Sequence, residues 1–244
     1  MRGNPLEQSG PSGVLVIDKA PDMTSHDVVA IARRALNTKK IGHCGTLDPM
    51  ATGLLMLVIG RATKIQDLLM SEDKEYVGTL TLGVTTASQD KQGEVLETKE
   101  VPAFSEMQIK SAFDCFTGEF EQLPPMVSAI KQDGVPLYKL ARKGETVERK
   151  LRPVRVNEYD ISRIELPEVD FRVECSKGFY VRTYAHDIGE KLGCGAHLSA
   201  LRRTRSGKFS LERAIPAMDL KTIPRDELYK AMFTLAEISL MRGA

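Results

Sequence analysis

The sequence lacks the segments and motifs that mark membrane, secreted, redox and nucleotide-binding proteins. No apolar run approaches the roughly 20 residues that a membrane-spanning helix needs, and the N-terminus lacks the apolar core of a signal peptide. The four cysteines form no C-x-x-C pair, which disfavours a zinc or redox site and favours free thiols in a reducing cytosol. The patterns G-x-x-x-x-G-K-[ST], G-x-G-x-x-G and H-E-x-x-H are also absent. These absences predict a cytoplasmic protein that uses no nucleotide cofactor and no metal.

The overall composition is that of an ordinary soluble globular protein. The chain has 244 residues, with 42% hydrophobic and 27% charged residues, which predicts one large domain or one domain with a small appendage. The net charge of +1 does not by itself indicate a nucleic-acid partner. The positive charge is nevertheless concentrated in two acid-poor clusters, at 142–155 and 202–208. A solvated charged face and a phosphate-binding surface both fit such clusters.

Hydrophobic periodicity predicts an α/β (α+β) protein with a largely antiparallel mixed sheet flanked by helices. Strands are predicted over residues 13–18, 54–59, 76–84, 94–98, 154–166 and 169–176. Helices are predicted from a capping box at Thr24 and Asp27 to about residue 37, over 64–70, after Ser105, over 137–143 and 180–192, and from about residues 217 and 225. The predicted organisation is a disordered leader (1–12), a main domain (13–211) with a mobile basic arm (about 131–152), and a short helical tail (212–244).

The stretch 42–55 stands out because it places one acid on a constrained loop. Asp48 precedes Pro49, which disfavours a helical conformation at Asp48. Gly45 and Gly53 on either side allow tight turns or close approach to a ligand. A plain Asp-Pro turn leading into a strand and a reactive carboxylate on a rigid scaffold both fit this local chemistry.

The segment His43-Cys-Gly-Thr-Leu-Asp-Pro-Met-Ala-Thr-Gly53 resembles the catalytic motif of the TruB family, the tRNA pseudouridine synthases that act on the T-loop uridine at position 55. Further segments are similar to the family's other motifs, in family order, at 13–21, 62–64, 74–76, 123–131, 177–182, 187–189 and 198–207. The resemblance implies the pseudouridine synthase fold and isomerisation of uridine without a cofactor or metal. The ribose–N1 bond breaks, the base rotates, and a carbon–carbon bond forms through C5.

The resemblance also implies roles for four residues in the chemistry. Asp48 would be the catalytic carboxylate that attacks ribose C1′, since a covalent intermediate divides one hard step into easier ones. Tyr76 would stack on the target base and is a candidate general base, with a core aromatic as the alternative. Arg182 would pair with the carboxylate, and Asp90 would orient that arginine unless it only forms a turn.

Other residues are assigned by resemblance to substrate binding. Tyr180 and Leu201 would line the uridine pocket. His43 would enter the T-loop where the flipped uridine had been, offsetting part of a flipping cost of roughly a few kcal/mol; a structural histidine is the alternative. The basic clusters would contact the RNA backbone through Arg142, Lys143, Arg149, Lys150, Arg202, Arg203 and Arg205. The implied partner is therefore the T-arm of tRNA.

The resemblance ends at the C-terminus, where many members of the family carry an RNA-binding module of the PUA type. Only a short tail follows Leu211, so a short form without that module is expected. A monomer with no obligate protein partner is expected as well. Two other functions remain open at this stage: an RNA-binding or RNA-folding module, and an N-glycosidase that releases free uracil.

Overall fold

The computed structural model describes residues 11–128, 130–132, 134–141, 143–145 and 147–243. The helices are α1 Ser25–Ala35, α2 Gln66–Met70, α3 Glu106–Asp114, α4 Leu137–Ala141, α5 Val181–Leu192, α6 Arg225–Ala231 and α7 Leu235–Met241. The strands are β1 Gly13–Lys19, β2 Ile41–Cys44, β3 Thr52–Ile59, β4 Lys74–Leu82, β5 Val84–Thr86, β6 Val95–Thr98, β7 Gly118–Gln122, β8 Lys131–Gln132, β9 Val135–Pro136, β10 Arg152–Glu165, β11 Glu168–Cys175, β12 Ala196–Ser206, β13 Phe209–Ser210, β14 Ile215–Pro216 and β15 Phe233–Thr234. Within these described ranges no helix is long and apolar enough to cross a membrane.

The chain divides into two compact units. The first is formed by the chain before Glu75 together with the chain after Leu201, and the second spans Glu75–Leu201. Strands β4 and β12 each contribute residues to both units. The predicted mixed α/β class is confirmed.

The first unit is built around β3, whose apolar run at 54–59 is almost completely buried. Such a continuous apolar run is typical of a strand covered on both faces. β3 pairs antiparallel with β1 and with β2, and parallel with β12 through Arg202 and Arg203. The C-terminal segment joins this unit, because β14 and β15 both pair with β1.

Helix α1 begins where the sequence predicts, at a capping box. The Thr24 hydroxyl accepts a hydrogen bond from the Asp27 N–H at 3.1 Å, and the Asp27 carboxylate accepts one from the Thr24 N–H at 2.8 Å. The two side chains thus supply acceptors for two backbone donors at the start of the helix. The helix then packs its apolar face inward through Val28, Val29 and Ala32.

The second unit has an antiparallel arrangement of β11, β10 and β7. Its core is rich in aromatic rings, with Phe113 of α3 in contact with Tyr159, Phe171 and Tyr184. Helix α5 ends at Gly193, which adopts the left-handed conformation (φ +84°) that favours glycine at a helix C-terminus. This end agrees with the predicted end of the helix.

Several predicted elements differ from the structure. His43 lies on strand β2 and not in a loop, because Ile41 and Cys44 bury their side chains while β2 pairs with β3. The helix predicted from about residue 217 is a single 3₁₀ turn, Asp219–Lys221. Residues 1–10 of the predicted disordered leader (1–12) lie outside the described residues. Ser12, at the end of the predicted leader, is ordered by a hydrogen bond that its hydroxyl accepts from the Arg61 N–H at 2.9 Å.

Gly53 tests how tightly β3 and β12 are packed. Its φ is +93°, and an added Cβ would lie 2.3 Å from the carbonyl oxygen of Arg203. Gly118 has a similar φ of +79° but open space around it, so it is a matched control. We expect Gly118→Ala to lower the free energy of unfolding by about 1–2 kcal/mol, and Gly53→Ala to lower it by a further 1–3 kcal/mol or so because of the clash. Urea unfolding measures both, and equal losses would contradict the close packing.

Candidate active site

Asp48 lies on the loop between β2 and β3, and helix α1 holds that loop from one side. The Ser25 hydroxyl donates to the Leu47 carbonyl at 3.2 Å and accepts from the Leu47 N–H at 2.9 Å. The Ala51 N–H closes the turn on the Asp48 carbonyl at 3.0 Å. The carboxylate is therefore presented, half-buried, from a fixed backbone, as both interpretations of the sequence require.

Lys19 supports the same loop from the end of β1. Its side chain is fully buried and donates to the carbonyls of Ala20 at 2.9 Å, Met23 at 2.7 Å and Pro49 at 3.1 Å. Burial lowers the pKa of Lys19 to about 8, while the charge of Asp48 acts in the opposite direction. Lys19 is therefore a buried cation whose charge interacts favourably with the carboxylate of Asp48.

Arg203 corrects one prediction from the sequence. Its side chain is 1% exposed, and it donates to the Leu54 carbonyl at 2.7 Å and to the Gly45 carbonyl at 3.1 Å. A guanidinium buried in this way does not reach an RNA phosphate, so the predicted backbone contact is wrong for this residue. Because its two acceptors lie at opposite ends of the segment that carries Asp48, Arg203 ties that segment together.

His43 lies near the end of β2, beside a histidine that the sequence pattern did not indicate. Its ring meets that of His26, on the first turn of α1, edge to face with centroids 5.3 Å apart. Burial, followed by the charges of His26 and Arg203, lowers the pKa of His43 to about 4. The ring is therefore neutral near pH 7, which suits stacking against a base.

Arg182 is the centre of a buried polar cluster in the second unit. It lies on the first turn of α5, is 3% exposed, and donates to the carbonyls of Ser88 and Val127, both at 2.7 Å. Its Nε is 3.7 Å from Oδ2 of Asp90. The structure thus brings together Arg182 and Asp90, the pair that the resemblance links.

Asp90 also stabilises a turn, which was the alternative role predicted for it. Its Oδ1 accepts hydrogen bonds from the Ser88 hydroxyl at 2.6 Å and from the Gln92 N–H at 3.0 Å. The preceding residue, Gln89, has a φ of +62°, a conformation that costs a non-glycine residue of order 1–3 kcal/mol. The Gln89 side chain accepts from the Thr183 hydroxyl at 2.8 Å, next to Arg182. Turn and ion pair therefore occur together.

The remaining predicted pocket residues are in the second unit as well. Tyr76 on β4 and Leu201 on β12 are 9% and 8% exposed, so neither is a freely solvated side chain. Tyr180 is half-buried at the N-cap of α5. Its backbone is held by the buried side chain of Gln122, which the sequence did not single out.

The predicted RNA-backbone residues differ in their exposure. Lys143 and Lys150 are exposed, and Arg149 donates to the Pro124 carbonyl at 2.8 Å. Arg202 makes a two-pronged ion pair with Asp18, at 2.7 and 3.0 Å, and is 38% exposed. Arg205 is half-buried, and Arg142 lies outside the described residues.

Two family patterns match most of the chain. The pattern described as the TruB family pseudouridylate synthase N-terminal domain matches residues 33–181. The pattern described as the tRNA pseudouridylate synthase B C-terminal domain matches residues 182–237. The boundary between the two matches falls at Arg182, within the first turn of α5.

Relatives with the same description are similar over nearly the whole chain. The tRNA pseudouridine synthase B of Opitutus terrae is 56% identical over 220 residues, which cover 90% of this chain and 91% of the relative. That of Geobacter sulfurreducens is 50% identical, covering 86% of this chain and 69% of the relative. Among solved structures, a chain of a Cbf5-Nop10-Gar1 complex matches with a TM-score of 0.73 and 33% identity. The match covers 98% of this chain but 64% of that one, less than two thirds of its length.

The lowered pKa of His43 predicts a pH dependence of stability. In the folded protein the pKa is about 4, whereas an unfolded chain has a histidine pKa of about 6.5. Between these values the unfolded state binds a proton that the folded state does not, so stability falls as the pH decreases through this window.

His43→Gln removes the titrating group. We expect the free energy of unfolding of the wild type, relative to this variant, to decrease from about pH 6.5 to about pH 4. Urea titrations at several pH values measure it, and a constant difference would contradict the burial of the neutral ring.

Proposed function

Because this chain belongs to the TruB family of pseudouridylate synthases, we propose that it isomerises uridine to pseudouridine in tRNA, at position 55 of the T-loop. The observation that carries the proposal is the close similarity to proteins named tRNA pseudouridine synthase B over nearly the whole chain. The geometry of the Asp48 loop supports it independently. Three side chains, Lys19, Ser25 and Arg203, hold that loop through its backbone, as expected of a group that must meet its substrate in one orientation.

In the proposed reaction Asp48 is the nucleophile. Its carboxylate attacks C1′ of the target ribose while the bond from C1′ to N1 of uracil breaks. The detached uracil rotates and forms a bond from C5 to C1′, which releases the carboxylate. The hydrogen on C5 leaves as a proton, and N1 takes up a proton in its place. The number of bonds is conserved and no oxidant or reductant takes part. The positive charge of Lys19 lies close enough to interact favourably with the charge of Asp48.

The base must be flipped out of the T-loop to reach Asp48, and water must stay away from the detached uracil. We assign His43 to the space that the flipped uridine vacates, consistent with its neutral, half-buried ring. Tyr76, Tyr180 and Leu201 are assigned to the base itself. Arg182, oriented by Asp90, is assigned to the catalytic carboxylate, and the hydrogen bonds that fix its guanidinium support this role.

The two basic clusters are proposed to bind phosphates of the T-arm. The residues proposed to contact phosphates are, on the arm, Lys143, Arg149 and Lys150 and, on β12, Arg202 and Arg205. Arg203 is left out because of its burial. Structured RNA is recognised largely through its shape and backbone, so such contacts would act with little dependence on base sequence.

Asp48→Asn tests the chemistry. The amide keeps the size of the side chain but is a poor nucleophile, so we expect the rate of pseudouridine formation to fall by more than about 1,000-fold. Binding of tRNA should stay within about threefold, because little of the RNA contact surface changes. The measurement is tritium release from tRNA labelled at C5 of uridine, with filter binding alongside. Asp67→Asn, at an exposed position of α2, is the control.

The outcomes of this experiment separate the other functions. Absence of tritium release from the wild type on every tRNA would refute the synthase and leave an RNA-binding protein. Appearance of free uracil would indicate an N-glycosidase. Full activity of Asp48→Asn would remove Asp48 from the mechanism.

Salt dependence tests the phosphate contacts. Each lost phosphate contact is expected to reduce the slope of log K against log salt by roughly 0.7–0.9. We expect Lys150→Gln to weaken tRNA binding and reduce the slope by about this amount. Lys230→Gln, at an exposed position outside both clusters, should leave it unchanged. Equal slopes for wild type and Lys150→Gln would exclude Lys150 from backbone contact, and a slope near zero for the wild type would exclude both clusters.

A further inference from the structure

We infer that Gln122 is a positioning residue for the reaction. Its side-chain amide fixes the backbone of Tyr180 and, through it, the start of the helix that carries Arg182. The inference rests on the proposed functions of Tyr180 and Arg182 and adds a residue that positions them. It depends on the hydrogen bonds of one buried side chain.

Gln122 is the last residue of β7 and is 1% exposed. Its Oε1 accepts a hydrogen bond from the N–H of Tyr180 at 2.8 Å, and its Nε2 donates to the carbonyl of Tyr180 at 3.1 Å. One planar amide thus satisfies both backbone groups of a single residue, as a neighbouring strand would. Two parallel bonds from a planar group restrain orientation as well as position.

Tyr180 needs an external partner because of its place in the chain. It is the N-cap of α5, with an extended backbone, and its side chain makes no capping hydrogen bond. The residue two before it, Gly178, has a φ of +81°, so the chain turns sharply before the helix begins. The Tyr180 carbonyl already accepts from the Tyr184 N–H at 3.0 Å, the first hydrogen bond of the helix. Gln122 therefore sets the angle at which α5 starts.

The anchor that Gln122 provides is itself rigid. Its backbone pairs with Arg152 in the antiparallel ladder between β7 and β10. At the other side of the segment, Arg182 donates to two carbonyls, and Thr183 donates to Gln89. The four residues from Tyr180 to Thr183 are thus held at both ends. Loss of the Gln122 contact would free the end that carries Tyr180.

The site requires a donor and an acceptor on one flat group. An ionised glutamate offers only acceptors and would face the Tyr180 carbonyl with a negative charge. A protonated glutamate restores the donor and with it the same pair of hydrogen bonds. Burial raises the pKa of such a carboxyl group, so protonation falls within an accessible pH range. A positioning function of Gln122 therefore has a pH signature.

The test compares Gln122→Met, Gln122→Glu and a control, Glu121→Gln, at the exposed neighbouring position of β7. Single-turnover pseudouridine formation, tRNA binding and Tm are measured for each. We expect Gln122→Met to reduce the single-turnover rate by about 10- to 100-fold, as a small misplacement of catalytic groups does, with tRNA binding changed by less than about threefold. For Gln122→Glu, the rate relative to wild type should rise by up to about tenfold per pH unit as the pH falls from about 8 to about 6. The control should match the wild type.

Each other result counts against the inference. Wild-type rates for both Gln122 variants at every pH would overturn it. A lowered Tm with no pH-dependent recovery of Gln122→Glu would show that Gln122 only stabilises the fold, which also overturns it. Failure of the wild type to form pseudouridine on any tRNA would instead overturn the proposed function, so the two failures are distinguishable.

Discussion

The loop that carries Asp48 depends on a buried guanidinium bonded to backbone carbonyls. Arg203 donates to Gly45 at one end of this segment and to Leu54 at the other. A buried guanidinium without its acceptors would strongly destabilise the fold. Breaking a buried ion pair, which also leaves an uncompensated charge, costs roughly 3–5 kcal/mol. Folding therefore favours the backbone conformation of this loop in which the carbonyls of Gly45 and Leu54 accept hydrogen bonds from Arg203. The backbone of the Asp48 loop is thus hydrogen-bonded to a buried core side chain, whereas Asp48 itself is only half-buried.

The second unit uses the same principle around Arg182. Its guanidinium is also buried against carbonyls, those of Ser88 and Val127, and its Nε faces Asp90. The left-handed backbone of Gln89 is tolerated because the hydrogen bonds of its own side chain and of Asp90 hold the turn. In both units a buried cation donates hydrogen bonds to backbone carbonyls of an irregular segment or its flank. Irregular segments are held in a fixed conformation in this way.

The sequence predicts the parts of the fold that local patterns determine. The β3 run and the Thr24–Asp27 capping box are examples, because burial on both faces and helix capping each leave a mark within a few residues. Strand β2 was missed because four residues carry too little periodicity, and only pairing with β3 defines it. Arg203 was misassigned because a basic run suggests exposure, although alternation along a strand turns every second side chain inward. Gln122 was missed because its partner is 58 residues away in sequence.

Lys19 shows that the fold keeps a positive charge near Asp48 at a cost in stability. The pKa of Lys19 is lowered from 10.5 to about 8, chiefly by burial. Below about pH 8 both the folded and the unfolded chain carry the charge, so the full cost of burying it is present near pH 7. As the pH rises from about 8 towards 10.5 the folded state loses the proton first and the cost is relieved. An apolar residue would avoid this cost but would remove the Lys19 donor from the carbonyls of Ala20 and Met23, and would leave the Pro49 carbonyl only the Asp22 N–H. Lys19 is therefore explained by the hydrogen bonds that it donates to the Asp48 loop and the adjoining turn, because burial of its charge is unfavourable for stability.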